Sequence, residues 1–200
     1  MEPQPTWQED CAKIATWAES IGLKTKKVTD KDIRSLSLYP FLPNMWILKG
    51  IAYYDDWTHP GSLLHDLGHL AVSPSWLRPL LSGDTCWEQS SELVKLVKNM
   101  CDPEAKGSKL QNWNTLIHGD EQAAIAWSFT AAQAADVDDF LPFEIGFDNL
   151  GGSTGEELHE SLSMSASTNK CYNAGITCLF HSGMLSNKSD FPKLNKWLQD

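Results

Sequence analysis

Ser62-Leu63-Leu64-His65-Asp66-Leu67-Gly68-His69-Leu70 places two histidines four residues apart. On an α-helix that spacing is about one turn, so both imidazoles leave the same face. Two neutral imidazoles side by side form a chelate for a divalent transition metal. Leu63, Leu67, Leu70 and Ala71 fall on a different stripe, which can be buried while the histidines face a cleft. Thr58 or His59 is placed to cap this helix, Pro60 suits its first turn, and Ser73-Pro74 ends it. The plainer alternative is two polar residues buried beside a helix with no metal between them.

Outward from this helix, the sequence alternates short elements with turn chemistry. Upstream, Thr6 and Glu9 have capping-box spacing, Cys11, Ile14, Ala15 and Ala18 repeat at helical intervals, and Gly22 closes that helix. A lysine-rich connection follows, then Tyr39-Pro40-Phe41-Leu42-Pro43, whose prolines forbid regular structure. Met45 to Tyr54 is rich in β-formers around Gly50 and reads as one bent strand or a tight hairpin. Downstream, Trp76 to Asp84 reads as a loop with a short helical turn, Glu88 to Met100 as a surface helix, and Asp102 to Ser108 as turns.

An alanine-rich helix is expected from near Asp120 to about Ala135, with Ala124, Trp127, Ala131 and Ala134 suited to close packing. Asp136 to Asp139 is an acidic loop, and Phe140 to Phe147 is irregular. The glycines at 151, 152 and 155 mark a flexible loop and a candidate lid. Two shorter helices are expected at roughly 168–184 and 191–198. With no repeat and no linker, residues 1–200 read as a single metal-binding domain.

Composition narrows the partners. An apolar fraction of 42% and nine tryptophans belong to a folded globule. A net charge of −10 opposes nucleic-acid binding and anionic membranes. No apolar run is long enough for a transmembrane helix, and the polar start of the chain carries no secretory signal. Five cysteines without a Cys-x-x-Cys pair suit reduced thiols, so a cytoplasmic protein without a cysteine-based zinc site is expected.

Two histidines need a third protein ligand, commonly a carboxylate. Gly119-Asp120-Glu121-Gln122-Ala123-Ala124 offers it, with Glu121 the choice and Asp120 the close alternative. Against a metal role, acidic residues at a helix N-terminus stabilise its dipole unaided. His118 could reach the same cleft as a substrate-side group. His159 and His181 suit surface or satisfied core positions. Cys86 and Cys101 lack a neighbouring base, Ser62 lacks a nucleophile elbow, and Gly151-Gly152-Ser153-Thr154-Gly155 lacks the lysine of a phosphate loop.

His-x-x-x-His followed by a helix-borne Glu resembles the gluzincin metallopeptidase arrangement. More specifically, Leu64 to Pro74 and Glu121 to Leu150 resemble the elongation factor P hydroxylase family, the second stretch through Glu121, its alanine/tryptophan helix and Phe147-Asp148-Asn149-Leu150-Gly151. The resemblance leaves both ends of the chain unmatched. It implies His65, His69 and Glu121 as metal ligands in a zincin-like α+β fold, mostly helical, with a small β element beside the histidine helix. Zinc peptidases carry Glu directly after the first histidine as general base. Here that position is Asp66, one methylene shorter, which counts against peptide hydrolysis and less against a ferrous two-His-one-carboxylate oxygenase. Asp66 would then steady a ligand from behind.

Leu63 to His69 also resembles the core of the HD phosphohydrolases, but the upstream histidine of that family has no counterpart in residues 1–58. The expected activity is therefore a non-haem iron hydroxylase or oxygenase acting on a protein side chain or small molecule. Fe(II) is the expected metal and Zn(II) the alternative. A zinc hydrolase and a non-catalytic metal-binding module are the rivals.

Overall fold

The computed structural model describes residues 5–29, 31, 32, 35, 42–83, 109–145 and 153–200, with residues 5 and 109–120 described by backbone alone. The expected helices at 88–100, turns at 102–108 and the segments 39–41 and 146–152 lie outside the described residues. The fold is α+β and mostly helical, with one small sheet beside the histidine helix, as the sequence implied.

Helix α1 spans Pro5–Ser20. Because it starts at Pro5, Thr6 lies inside its first turn, and the expected Thr6–Glu9 capping box is replaced by a proline start. Its end follows expectation: Gly22 adopts φ +98°, its N–H donates to Glu19 O and the Leu23 N–H to Ala18 O. This pair of bonds is the Schellman closure that a left-handed glycine permits. The chain emerges directly into strand β1, Lys24–Lys27, where only a connection was expected. Lysine periodicity cannot announce a strand; the segment is extended because it pairs in parallel with β3.

Strands β2 (Met45–Leu48) and β3 (Ile51–Tyr54) form the tight hairpin, paired antiparallel with Met45 opposite Tyr54 and Leu48 opposite Ile51. Lys49 and Gly50 both take positive φ, 52° and 71°, as the two central residues of a two-residue hairpin turn of this twist must. The strand order is β1-β3-β2. Met45, Ile47, Ala52 and Tyr54 turn to the main core, while Trp46 and Tyr53 join Val28 in a small cluster on the other face.

The histidine helix, α2, spans Pro60–Val72, and all of its 13 residues are buried. His59 caps it, its Nδ1 accepting from the Gly61 N–H at 3.1 Å. At the other end three of the last carbonyls are engaged. Ser73 Oγ donates to His69 O, Arg78 Nε to Leu70 O at 2.7 Å, and the Gln199 N–H to Ala71 O. Arg78 Nη2 donates further to Ser73 O and Gln199 O. Buried helix ends require such partners, and one guanidinium supplies two of them here.

Helix α3 runs from Lys109 to Ala134, so it begins well before the expected start near Asp120. Helix α4, Gly155–Thr168, begins at the last glycine of the expected loop and precedes the two expected closing helices. Thr154 and Glu157 close a full capping box at its start. Helix α5 is short, Ala174–His181, and the expected helix at 191–198 is absent. That tail instead crosses the core: Trp197 packs edge-on to Trp17 at 4.8 Å, and Trp127 Nε1 donates to Trp197 O at 2.9 Å.

Arg78 thus joins the end of α2 to the C-terminal tail. Arg78→Met should lower the unfolding free energy by about 3 kcal/mol, because three carbonyls lose a charged donor in a partly buried place. Arg78→Lys, with a single point donor, should recover only part of it. Urea unfolding of the three proteins measures both; equal midpoints would refute the role.

Candidate metal centre

The site is made by two helices. Helix α2 brings His65 and His69 together with Nε2 atoms 3.0 Å apart and rings at 89°. Helix α3 brings Glu121 across them, Oε1 3.3 Å from His65 Nε2 and Oε2 3.0 Å from His69 Nε2. The three ligand atoms lie within 4.8 Å of one another. His65 and His69 are 4% and 2% exposed, Glu121 22%. The expected cleft is therefore closed over the histidines, since α2 is buried all round, and the open side of the cluster is the carboxylate.

The spacing suits one ion. For metal–ligand bonds of about 2.1 Å, neighbouring ligand atoms stand roughly 3.4 Å apart on a tetrahedron and roughly 3.0 Å on an octahedron. The imidazole pair, at 3.0 Å, lies at the octahedral edge, and the carboxylate meets each ring through a different oxygen, at 3.3 and 3.0 Å. The charge state suits it as well. Burial pushes the ionisation of His65 down to about 3, His69 adds in the same direction, and Glu121 opposes both. The ring is thus held neutral, the form that donates a lone pair to a metal. His65, His69 and Glu121 form a group able to hold a metal ion.

Glu121 stands in the middle of α3, so stabilisation of a helix N-terminus does not account for it. Of the alternatives at this position, Glu121 is the one in the cluster; the side chain of Asp120 lies outside the described residues, as does that of His118, placed by the backbone one turn before Glu121. Asp66 is 5% exposed and follows His65 on α2, but it is not a member of the group.

His159 and His181 take the non-ligating places expected of them. His159 Nε2 meets Asp139 Oδ1 at 2.8 Å, among the rings of Phe129, Phe140 and Phe143. His181 ends α5 against Phe180. Burial pushes the Cys11 thiol up to about 12, with Asp10 adding to the rise, which makes it unreactive.

Residues given no place at the site from the sequence complete the setting. His59, beyond capping α2, places its Nε2 3.1 Å from Glu144 and its ring edge-on to Trp7 at 4.6 Å. Gly68 lies against the backbone of Ala124, and Ser128 Oγ donates to Leu64 O at 3.1 Å. A glycine inside a helical pattern is the sequence signal of such a contact. Among the described residues no helix is long and apolar enough to cross a membrane. Comparison with protein-family models, curated proteins and solved structures returned no match.

Two outcomes follow for the site. His65→Ala or His69→Ala should each remove most bound metal, and Glu121→Ala should weaken it more than Asp120→Ala; elemental analysis after dialysis decides, and full metal content in the histidine variants would remove the site. The second concerns acid. A histidine held neutral in the fold binds its proton only on unfolding, so the metal-free protein should lose stability as pH falls from about 6.5 towards 3, by at most about 1.4 kcal/mol per unit for one proton. His65→Gln should flatten that slope in urea titrations; an unchanged slope would show that His65 is not the group responsible.

Proposed function

We propose that the protein is a metal-dependent enzyme, a non-haem iron hydroxylase or oxygenase acting on a protein side chain or small molecule. The observation that carries this reading is the set of two histidines and one glutamate converging from one side. Three ligands at mutual separations near an octahedral edge leave other positions for reactants, whereas structural sites are closed by four protein ligands. The resemblance of Leu64–Pro74 and of the Glu121 helix to elongation factor P hydroxylases supports the same choice.

Ferrous iron held here would supply activation of oxygen and oxidation of a C–H bond. The chain does the rest. His65 is kept neutral by burial, and its Nε2 stands 3.0 Å from that of His69. Glu121 offsets part of the ion's charge and, as the more exposed ligand, marks the side on which substrate arrives. The buried wall of α2 excludes water behind the histidines. Asp66, buried in the turn between them, acts as an orienting group. Thiols at Cys11 and Cys171 fit a reducing compartment such as the cytoplasm. The charge of −10 disfavours a nucleic-acid substrate.

A zinc hydrolase is the second reading, favoured by one feature: a buried carboxylate directly follows the first histidine. In that case Asp66 would take the proton from a bound water, and losing such a base costs about 10²–10⁴-fold in rate. The deciding measurement pairs anaerobic iron loading and oxygen consumption with a peptide and phosphoester hydrolysis screen, on wild type and Asp66→Asn. The oxygenase reading expects oxygen uptake with iron bound and most of it kept in Asp66→Asn. No uptake with iron bound, together with hydrolysis that collapses in Asp66→Asn, would replace it by the hydrolase.

A further inference from the structure

Gly68 lies between the two histidines in sequence, and it is where α2 and α3 come closest to the site. A Cβ built on Gly68 would stand 2.8 Å from Ala124 O, 3.1 Å from Ala124 Cα and 3.0 Å from Ser128 Oγ. Two of those atoms are backbone, so no side-chain rotation makes room. Ala124 is one turn beyond Glu121 on α3, and Gly68 directly precedes His69. Ser128 Oγ stands at the same crossing and shares its one proton between Ala124 O of its own helix, at 2.7 Å, and Leu64 O, the carbonyl just before His65, at 3.1 Å. On its other side α3 is equally confined: a Cβ on Gly175 of α5 would stand 2.1 Å from Gln122 O and 2.8 Å from Ala126 Cβ. The stretch of α3 that begins at Glu121 is therefore held between two glycine contacts and cannot yield towards α5.

We infer that Gly68 and Ser128 are positioning residues that set the reach of Glu121 to His65 and His69, and hence the affinity of the centre for its metal. The inference rests on the reading of these three residues as a metal site. A methyl group at Gly68 pushes α3 off α2 beside the cluster, and the carboxylate is the ligand carried away, because both histidines ride on α2 itself. Removing the Ser128 hydroxyl loosens the same crossing without adding bulk.

Cobalt(II), titrated into the metal-free full chain, tests this through its visible spectrum, which changes with the number of ligands. Wild type should bind with three protein ligands. Gly68→Ala should bind about 10–100-fold more weakly, the range seen when groups supporting metal ligands are altered. Its spectrum should move to that of Glu121→Ala. In a Glu121→Ala background, Gly68→Ala should add no further loss, since the ligand through which it acts is gone. Ser128→Ala should show a smaller loss in the same direction. Should Gly68→Ala not fold, Ser128→Ala decides. Unchanged affinity and spectrum in the folded variants would overturn the positioning role, as would a loss that persists undiminished without Glu121. Failure of the wild type to bind cobalt(II) would instead bring down the metal centre itself.

Discussion

The backbone contact between α2 and α3 is the constraint on which the rest of the structure depends. Two helices can approach this closely only where side chains are missing or minimal, and Gly68 against Ala124 provides that place. A helix-interior glycine costs about 1 kcal/mol relative to alanine. Here that cost is offset by what the contact permits: a wholly buried α2 and a carboxylate from a second helix within 3.3 Å of both imidazoles. The same device recurs where other elements meet the two helices. Gly61 and Gly155 lie against the carbonyls of Leu141 and Phe143, and Gly175 against that of Gln122. Backbone-to-backbone packing fixes distances more firmly than interdigitated side chains do, since carbonyls cannot change rotamer.

Burial of this kind has an electrostatic consequence. Three Lewis bases crowded at about 3 Å in a region of low dielectric cannot all be protonated or charged without penalty. Protons resolve the conflict only in part, because desolvation drives them off His65. A divalent cation resolves it fully, pairing with the carboxylate and accepting both imidazole lone pairs. The polar atoms at the ends of α2 show the contrasting solution. There Arg78 and His59 meet carbonyls and an amide with ordinary hydrogen bonds, and no ion is called for.

How much of this was legible in the sequence depended on whether the cause was local. The histidine helix was, from Pro60 to Ser73, because its cap, its proline start and its period all lie within the stretch itself. Glu121 was chosen, with Asp120 as the close alternative, because it opens an alanine-rich stretch, and those alanines correctly announced a close neighbour. Strand β1 was not legible, since Lys24–Lys27 is a strand only by pairing with β3. The tail at 191–198 carries a helix-like spacing of Leu194, Trp197 and Leu198, yet it is a series of turns and bends in which Gln199 and Trp197 find backbone and indole partners on α2 and α3. Helix α4 was a different failure. Its Thr154–Glu157 capping signal was present, but the glycines just before it dominated the reading.

The asymmetry of exposure bears on how the centre works. Were the histidines the open side, a substrate would approach along α2, whose rigidity leaves little to adjust. They are instead sealed, and exposure rises towards Glu121. On the proposed reading, helix α2 would serve as a floor that defines where an ion sits, and α3 would contribute the ligand nearest to whatever enters. A carboxylate has two oxygens and a longer stem than an imidazole, so it can change its mode of binding while the histidines do not move. A site that must hold a metal firmly and still admit reactants is served by that division: rigidity resides in the buried pair and adjustability in the exposed member.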